Sequence, residues 1–364
     1  MKNRHKPRPP TVRAEPVEAL SFLEAGEEVK GFDKLSPNGE RKDLERRLRE
    51  RIAAEGPITV ADFMGEANAH YYGTRDPLGA EGDFTTAPEI SQMFGELVGI
   101  WLADLWDRAG RPEGVRYVEL GPGRGTLAMD ALRAMGAAGL APPVEFVETS
   151  PVLRRAQAER VHACWHDAVA TLPTDGPLLV VANEFFDALP IQQFDARGEE
   201  LDVTLEGESF VRAGEVARER SPVSLAIARD LARRLAAQGG AALIVDYGYV
   251  GASSADTLQS LWRHASADPF AEPGERDLTA HVDFASLAKA GRSEGVRIFG
   301  PRGQGDWLEA MGIGLRAAAI AKAVPERAAA IATDRERLVS PAQMGQLFKA
   351  MALVAPGWPE PAGF

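Results

Sequence analysis

From Arg41 to Glu55 the apolar residues Leu44, Leu48 and Ile52 recur at every fourth position among charged neighbours, which is one face of an amphipathic helix. Thr59 reads as the N-cap of a second helix, Val60 to about Ala69, followed by a loop of aromatics and turn formers at 71–79. Pro88 suits the first turn of a long helix reaching Trp106. Beyond Gly114 the pattern changes. Apolar runs at 115–120, 144–148, 162–165, 178–183 and 241–246 read as strands, with helical segments at 125–137, 151–161 and 221–237 between them. That alternation predicts an α/β fold, a mostly parallel, doubly wound sheet of the Rossmann-like kind. Period-two stretches around Ile191 and Gln193 and at Leu201, Val203 and Leu205 predict an antiparallel insertion at about 191–216. A second, irregular insertion is expected at 248–290, before a strand at 296–299, an Ala-rich helical stretch at 306–337 and a last strand at 347–354.

Three segments follow from this reading: an extension over residues 1–40, an N-terminal helical cap or lid over 41–113, and the sheet domain over 114–364. The extension is basic, then Glu-rich, and punctuated by Pro and Gly; it reads equally as a disordered tail or as a translated intergenic repeat. It has no apolar core that would make a secretory signal. The 364 residues carry 41 Lys and Arg against 53 Asp and Glu, a net charge of −12. Such acidity disfavours nucleic acid as a partner, because phosphate affinity comes mainly from basic side chains. No apolar run approaches the ~20 residues that span a bilayer, so no membrane insertion is expected. The lone Cys164 cannot form an internal disulfide, and a reducing compartment, the cytoplasm, is expected. His5, His70, His162, His166 and His264 show no ligand spacing and no HExxH motif is present, so no metal is expected.

The candidate chemistry begins at Val118-Glu119-Leu120-Gly121-Pro122-Gly123-Arg124-Gly125-Thr126, a strand ending near an acid, then glycines, then a helix. Such a turn lets a ligand reach backbone N–H groups at a helix N-terminus. The glycines do not match the dinucleotide fingerprint, since Thr126 stands where its third glycine belongs. An acid two residues before Gly121 suits a cationic ligand, which points to S-adenosylmethionine rather than a pyrophosphate. Glu148, with Thr149 beside it, ends the second strand, where a carboxylate accepts from both ribose hydroxyls. Asp167, after the third strand, either holds the adenine amino group or is a solvated turn acid. Asn183 and Glu184 end an apolar run at the carboxyl edge of the sheet and are candidates for function. Asp187 reads equally as a helix cap or a site residue. His281, by position alone, is either a structural histidine or a catalyst.

Together these residues resemble the MidA family of class I S-adenosylmethionine-dependent methyltransferases. The resemblance is carried by GDFTTAPEISQMFGE (82–96), VELGPGRGTL (118–127), VETSPVLRRAQ (147–157), NEFFDALPIQQF (183–194), Asp246-Tyr247-Gly248 and DLTAHVDF (277–284). It implies S-adenosyl-L-methionine as cofactor and a protein arginine as methyl acceptor, in a subunit of the respiratory NADH–quinone oxidoreductase (complex I), whose assembly the reaction supports. In that frame Glu184 is the first choice to clamp the guanidinium and Glu89 the second, while His281 would orient a carboxylate or accept a proton. Gly121, Pro122, Gly123, Gly125 and Thr126 would cradle the cofactor, Glu119, Glu148, Thr149, Asp167 and Asn183 would bind it, and Thr85, Thr86 and Ser91 would add hydroxyls from a lid. A homodimer is compatible with the sequence. The competing readings are a methyltransferase for a small molecule, an assembly chaperone that binds the cofactor without turnover, and a NAD-linked oxidoreductase.

Overall fold

The computed structural model describes residues 37–75, 86–251, 256–262 and 265–364. Most of the expected N-terminal extension, and Thr85, lie outside the described residues. Helix α1 (Pro37–Glu55) buries Leu44, Leu48 and Ile52 and is followed by a two-residue strand, β1 (Ile58–Thr59). Thr59 caps α2 (Val60–Thr74), its Oγ1 accepting from the Asp62 N–H at 3.0 Å. Helix α2 continues through residues expected to form a loop, because Tyr71 has a fully buried place on its inner stripe. The helix expected from Pro88 to Trp106 is two helices, α3 (Ala87–Ile90) and α4 (Gln92–Arg108). Ser91 makes the break: its backbone is extended and its Oγ accepts from the Met93 N–H at 3.3 Å.

Strands and helices then alternate as the apolar runs predict: β2 (Arg116–Leu120), α5 (Thr126–Ala137), β3 (Val144–Val147), α6 (Pro151–Ala158), β4 (Cys164–His166) and β5 (Leu178–Asn183). The first insertion holds β6 (Gln192–Phe194), β7 (Asp202–Glu206), β8 (Ser209–Arg212) and β9 (Arg218–Arg220), paired antiparallel as β7 with β8 and β6 with β9, while β1 joins the other edge of β7. Helix α7 (Pro222–Gln238) leads into β10 (Gly240–Tyr249). The stretch expected to be irregular contains β11 (Gln259–Trp262), β12 (Ala265–Ala267), β13 (Asp277–Thr279), β14 (Val282–Asp283) and α8 (Phe284–Ser293). Strands of two to four residues are too short for alternation to register in sequence. After β15 (Arg297–Gly303), the Ala-rich stretch divides into α9 (Gln304–Ala310), α10 (Ile313–Ala323) and α11 (Ala328–Val339) at Gly312 and Pro325, followed by α12 (Met344–Leu347) and β16 (Phe348–Val354).

The central sheet runs β15-β16-β10-β5-β2-β3-β4, with β14 beside β10. Strands β4, β3, β2, β5 and β10 are parallel and β16 is antiparallel to both its neighbours. The order reverses between β2 and β5, so the crevice for a ligand lies there, beyond the carboxyl ends of these strands. Alternate residues of each strand feed two cores. One face, with Tyr117, Phe146, Val181 and Leu243, is covered by α4, α5 and α9–α11; the other, with Val118, Val180 and Ile244, by α7 and α8. A third core joins Leu48, Phe63 and Met64 of the first two helices to Ile191, Val203 and Phe210 of the first insertion and Phe270 and Leu278 of the second. These dispersed segments therefore pack as one body, whereas α4 belongs to the sheet layer. Ser36–Phe364 form one compact unit. No helix among the described residues is long and apolar enough to cross a membrane.

Candidate functional site

The turn after β2 is shaped by its glycines. Gly121, Gly123 and Gly125 have φ of +60°, +53° and +78°, a region costly for residues with a Cβ. A Cβ on Gly121 would stand 3.0 Å from the Phe185 ring, which crosses over from the turn after β5. Gly125 is the N-cap of α5 and makes no side-chain cap, leaving the first N–H groups of that helix to the crevice. Gln157 ties the turn to the next strand: its Nε2 donates to Gly123 O at 2.7 Å and to Glu148 Oε2 at 3.2 Å, while its Oε1 accepts from Trp165 Nε1 at 2.7 Å. Sequence reasoning missed this residue. Its signal is a polar side chain on the buried stripe of α6, one turn after Leu153.

Glu119, at the end of β2, is buried and accepts from the Tyr117 hydroxyl at 2.6 Å. Burial pushes its carboxyl up to about 8, the Tyr117 hydrogen bond opposing. It forms no ion pair among the described residues. Glu148 is also buried; its Oε1 accepts from the Ser150 N–H at 2.8 Å, and burial outweighs its hydrogen bonds to raise its pKa. Asp167 lies at the same sheet edge but is 71% exposed and paired with Arg154 at 2.6 Å. Thr149 is exposed beside Glu148.

The turn after β5 carries the densest chemistry. Glu184 has a positive φ of +50°, a strained conformation for a residue with a side chain and one that concentrates at functional sites. Its Oε1 accepts from the Ala87 N–H at 3.2 Å and from Asn183 Nδ2 at 3.3 Å. Burial, reinforced by the neighbouring Asp187 charge, pushes Glu184 up to about 8. Asn183 Oδ1 and Asp187 Oδ1 are buried with no hydrogen-bond partner among the described residues. Asp187 is not a helix cap, since no helix begins there and its turn closes through Leu189 N–H to Phe186 O. From the adjacent β10, Asp246 Oδ2 accepts from the Phe186 and Asp187 N–H groups at 2.9 and 3.3 Å, and its Oδ1 from its own neighbour Tyr247 at 2.9 Å. The Tyr247 hydroxyl bonds Asp187 and is itself bonded by Thr279. Asp246 and Tyr247 stand out by the signal that exposed Asn183, a polar residue ending a buried strand run at the carboxyl edge.

The α3 segment bridges the two turns. Glu89 Oε1 accepts from Thr126 Oγ1 at 2.7 Å, while the Ala87 N–H reaches Glu184. Thr86 is the N-cap of α3 with its hydroxyl uncommitted to a cap bond, and Ser91 is occupied as the cap of α4. His281 meets Tyr247, ring edge to face with centroids 5.5 Å apart, rather than Glu184 or Glu89, and burial lowers its pKa toward a neutral ring. Helix α2 braces the arrangement: Asn68 Nδ2 donates to Ala188 O at 2.9 Å and Leu278 O at 2.7 Å, and Tyr72 O accepts from Ser150 Oγ at 2.6 Å. A buried carboxylate without a cation, a backbone-lined glycine turn and an orphan amide oxygen fit a cationic nucleoside such as S-adenosylmethionine. No group of His, Cys, Asp and Glu among the described residues is arranged to hold a metal.

Comparison with known proteins accords with this geometry. Residues 97–210 and 202–302 match the model of an S-adenosyl-L-methionine-dependent methyltransferase family. The protein named protein arginine methyltransferase NDUFAF7 homolog, mitochondrial, from Drosophila melanogaster is 37% identical over 85% of this chain and 84% of its own length. Its human counterpart, named protein arginine methyltransferase NDUFAF7, mitochondrial, is 33% identical over 85% and 82%. A Burkholderia thailandensis protein solved with bound S-adenosyl-homocysteine superposes with a TM-score of 0.79 at 28% identity, over 92% of this chain and 97% of that one. The cytoplasmic location expected from the lone cysteine is overturned by the mitochondrial names of these relatives. A single thiol argues against an oxidising compartment and does not choose among reducing ones.

Proposed function

Because this chain belongs to the S-adenosyl-L-methionine-dependent methyltransferase family, we propose that it methylates an arginine of a protein, in a subunit of the respiratory NADH–quinone oxidoreductase. Its cofactor is S-adenosyl-L-methionine. Bound in the crevice, that cofactor supplies an electrophilic methyl group on a sulfonium. Glu119 holds the cationic end, the Gly121–Gly125 backbone lines the crevice, and Glu148, set by Ser150 and Gln157, accepts from the ribose hydroxyls. Asn183 offers its orphan Oδ1 to the same ligand. Thr126 and Glu89 hold the α3 segment against the glycine turn, which excludes water from the reacting atoms.

The observation that carries the arginine reading is the half-buried carboxylate of Glu184, beside the buried acids Asp187 and Asp246 at the reversal point of the sheet. A guanidinium has a pKa above ~12 and is a poor nucleophile until carboxylates localise its charge and free one nitrogen lone pair. A neutral small molecule has no use for several acids in one buried place. Glu184→Gln, which keeps the acceptor for the Ala87 N–H, is expected to bind S-adenosyl-homocysteine within about threefold of wild type and to lose at least ~100-fold in methyl transfer, the range of an electrostatic contact made at the transition state. Calorimetry and tritiated methyl incorporation into protein measure the two. Full turnover in that variant removes Glu184 from the reaction.

A further inference from the structure

The turn after β5 gathers more carboxylates than one clamp uses, and they are not equivalent. Both oxygens of Asp246 accept from backbone N–H groups, so it holds the turn in shape. Asp277 Oδ1 accepts from the Tyr72 hydroxyl at 2.9 Å. Glu184 faces α3 through the Ala87 N–H. Asp187 differs from all three: it is about 5% exposed, the Tyr247 hydroxyl and the N–H groups of Asp187 and Ala188 act on its carboxyl, and Oδ1 is buried with no partner in hydrogen-bond geometry among the described residues. A buried acceptor left open is costly unless a ligand completes it. Besides Glu184, Asp246 and Tyr247 from β10 and Tyr72 from α2 face it, and behind these hydroxyls Asp277 and Thr279 from β13 meet Tyr72 and Tyr247. None of them is a cation. Asn68 fixes the position by holding the carbonyl of the next residue, Ala188.

We propose that Asp187 is a second catalytic carboxylate, whose Oδ1 accepts an N–H of the substrate guanidinium and then its proton, while the Tyr247 hydroxyl, itself bonded by Thr279, holds the other oxygen. The inference rests on the arginine reading of the same site. A planar guanidinium presents two parallel N–H pairs, so Glu184 and Asp187 can each take one edge. As one guanidinium nitrogen forms its bond to the methyl carbon, the carbon–sulfur bond breaks and the electron pair leaves with sulfur. The proton of that nitrogen passes to Asp187 Oδ1 and then to solvent. Tyr247, acting through Asp187, is a positioning residue.

Two readouts test this on the full-length protein. With S-adenosyl-homocysteine present, binding of N-acetyl-arginine N-methylamide and of its neutral citrulline analogue is followed by NMR titration. Wild type should prefer the arginine compound, and Asp187→Asn should reduce that preference at least tenfold with its melting temperature and S-adenosyl-homocysteine affinity retained. Tritiated methyl transfer to an extract from cells lacking this protein should fall at least 100-fold in Asp187→Asn. In Tyr247→Phe the acid limb of the transfer rate should move to higher pH, because the lost hydroxyl had held the Asp187 pKa down; a merely structural role would lower the melting temperature and leave the limb in place. Wild type that labels arginine while Asp187→Asn works within threefold of it overturns the role of Asp187 alone. Wild type that labels no arginine, or binds citrulline equally well, overturns the arginine reading beneath it.

Discussion

Glu119, proposed above to hold the cationic end of the cofactor, would tie binding to protons. In the folded chain its carboxyl is pushed up to about 8 by burial, against an ordinary value of 4.5. Near pH 7 it is mainly protonated, and a cation held beside it favours the ionised form. Cofactor binding should therefore release up to one proton near pH 7, with affinity rising toward about pH 8 and levelling off above it. Calorimetry in buffers of different ionisation enthalpy measures that release, which Glu119→Gln should abolish. Proton release that persists in this variant assigns the proton to another group. In the apo protein the sign is fixed by the same shift: the unfolded chain loses this proton near 4.5 and the folded chain near 8, so the stability contributed by this group falls between those values as pH rises. Glu119, Glu148, Asn183 and Glu184 were visible in the sequence because each is polar at the end of an apolar run. The open oxygen of Asp187 was not, since it depends on which hydroxyls β10 and β13 deliver across the sheet edge.

At the scale of elements, the glycine turn is held where it is by the closeness of α4 and α5. Cβ atoms built on Gly95 and Gly99 would stand 2.7 Å from Asp130 Cβ and 2.3 Å from Ala131 O. The second contact is with backbone and cannot be relieved by a rotamer. Gly99→Ala is expected to cost about 1–3 kcal/mol through overpacking, read as a drop in melting temperature. Gly136→Ala in α5, with nothing within 4 Å of its new methyl, should be neutral or stabilising by up to ~1 kcal/mol. Equal melting temperatures for the two variants would remove the close approach as a cause. The long strands and the amphipathic helices were legible from periodicity. What was not legible depends on contacts that a periodicity does not carry: Ser91 divides a helix through a side-chain bond to Met93, Tyr71 extends one by finding a buried seat, and the short strands β13 and β14 are fixed by pairing with β11 and β10 earlier in the chain.

At the scale of the whole molecule, a sheet with its order reversed between β2 and β5 makes one crevice, and three dispersed segments share a core that braces it. Helix α2 touches both sides, Ser150 through the Tyr72 carbonyl and the turn after β5 through Asn68. Part of the chain's excess of acids is thereby concentrated as carboxyl groups whose pKa values burial raises, poised to ionise where two cations would meet. The central claim is that these cations are a sulfonium and a protein guanidinium. The most direct measurement incubates the purified protein with tritiated S-adenosyl-L-methionine and protein from cells lacking it, then separates the labelled proteins and hydrolyses them to amino acids. The account predicts label in methylarginine, within a subunit of the respiratory NADH–quinone oxidoreductase. Label confined to a small soluble product, or carried in protein on a residue other than arginine, would contradict it.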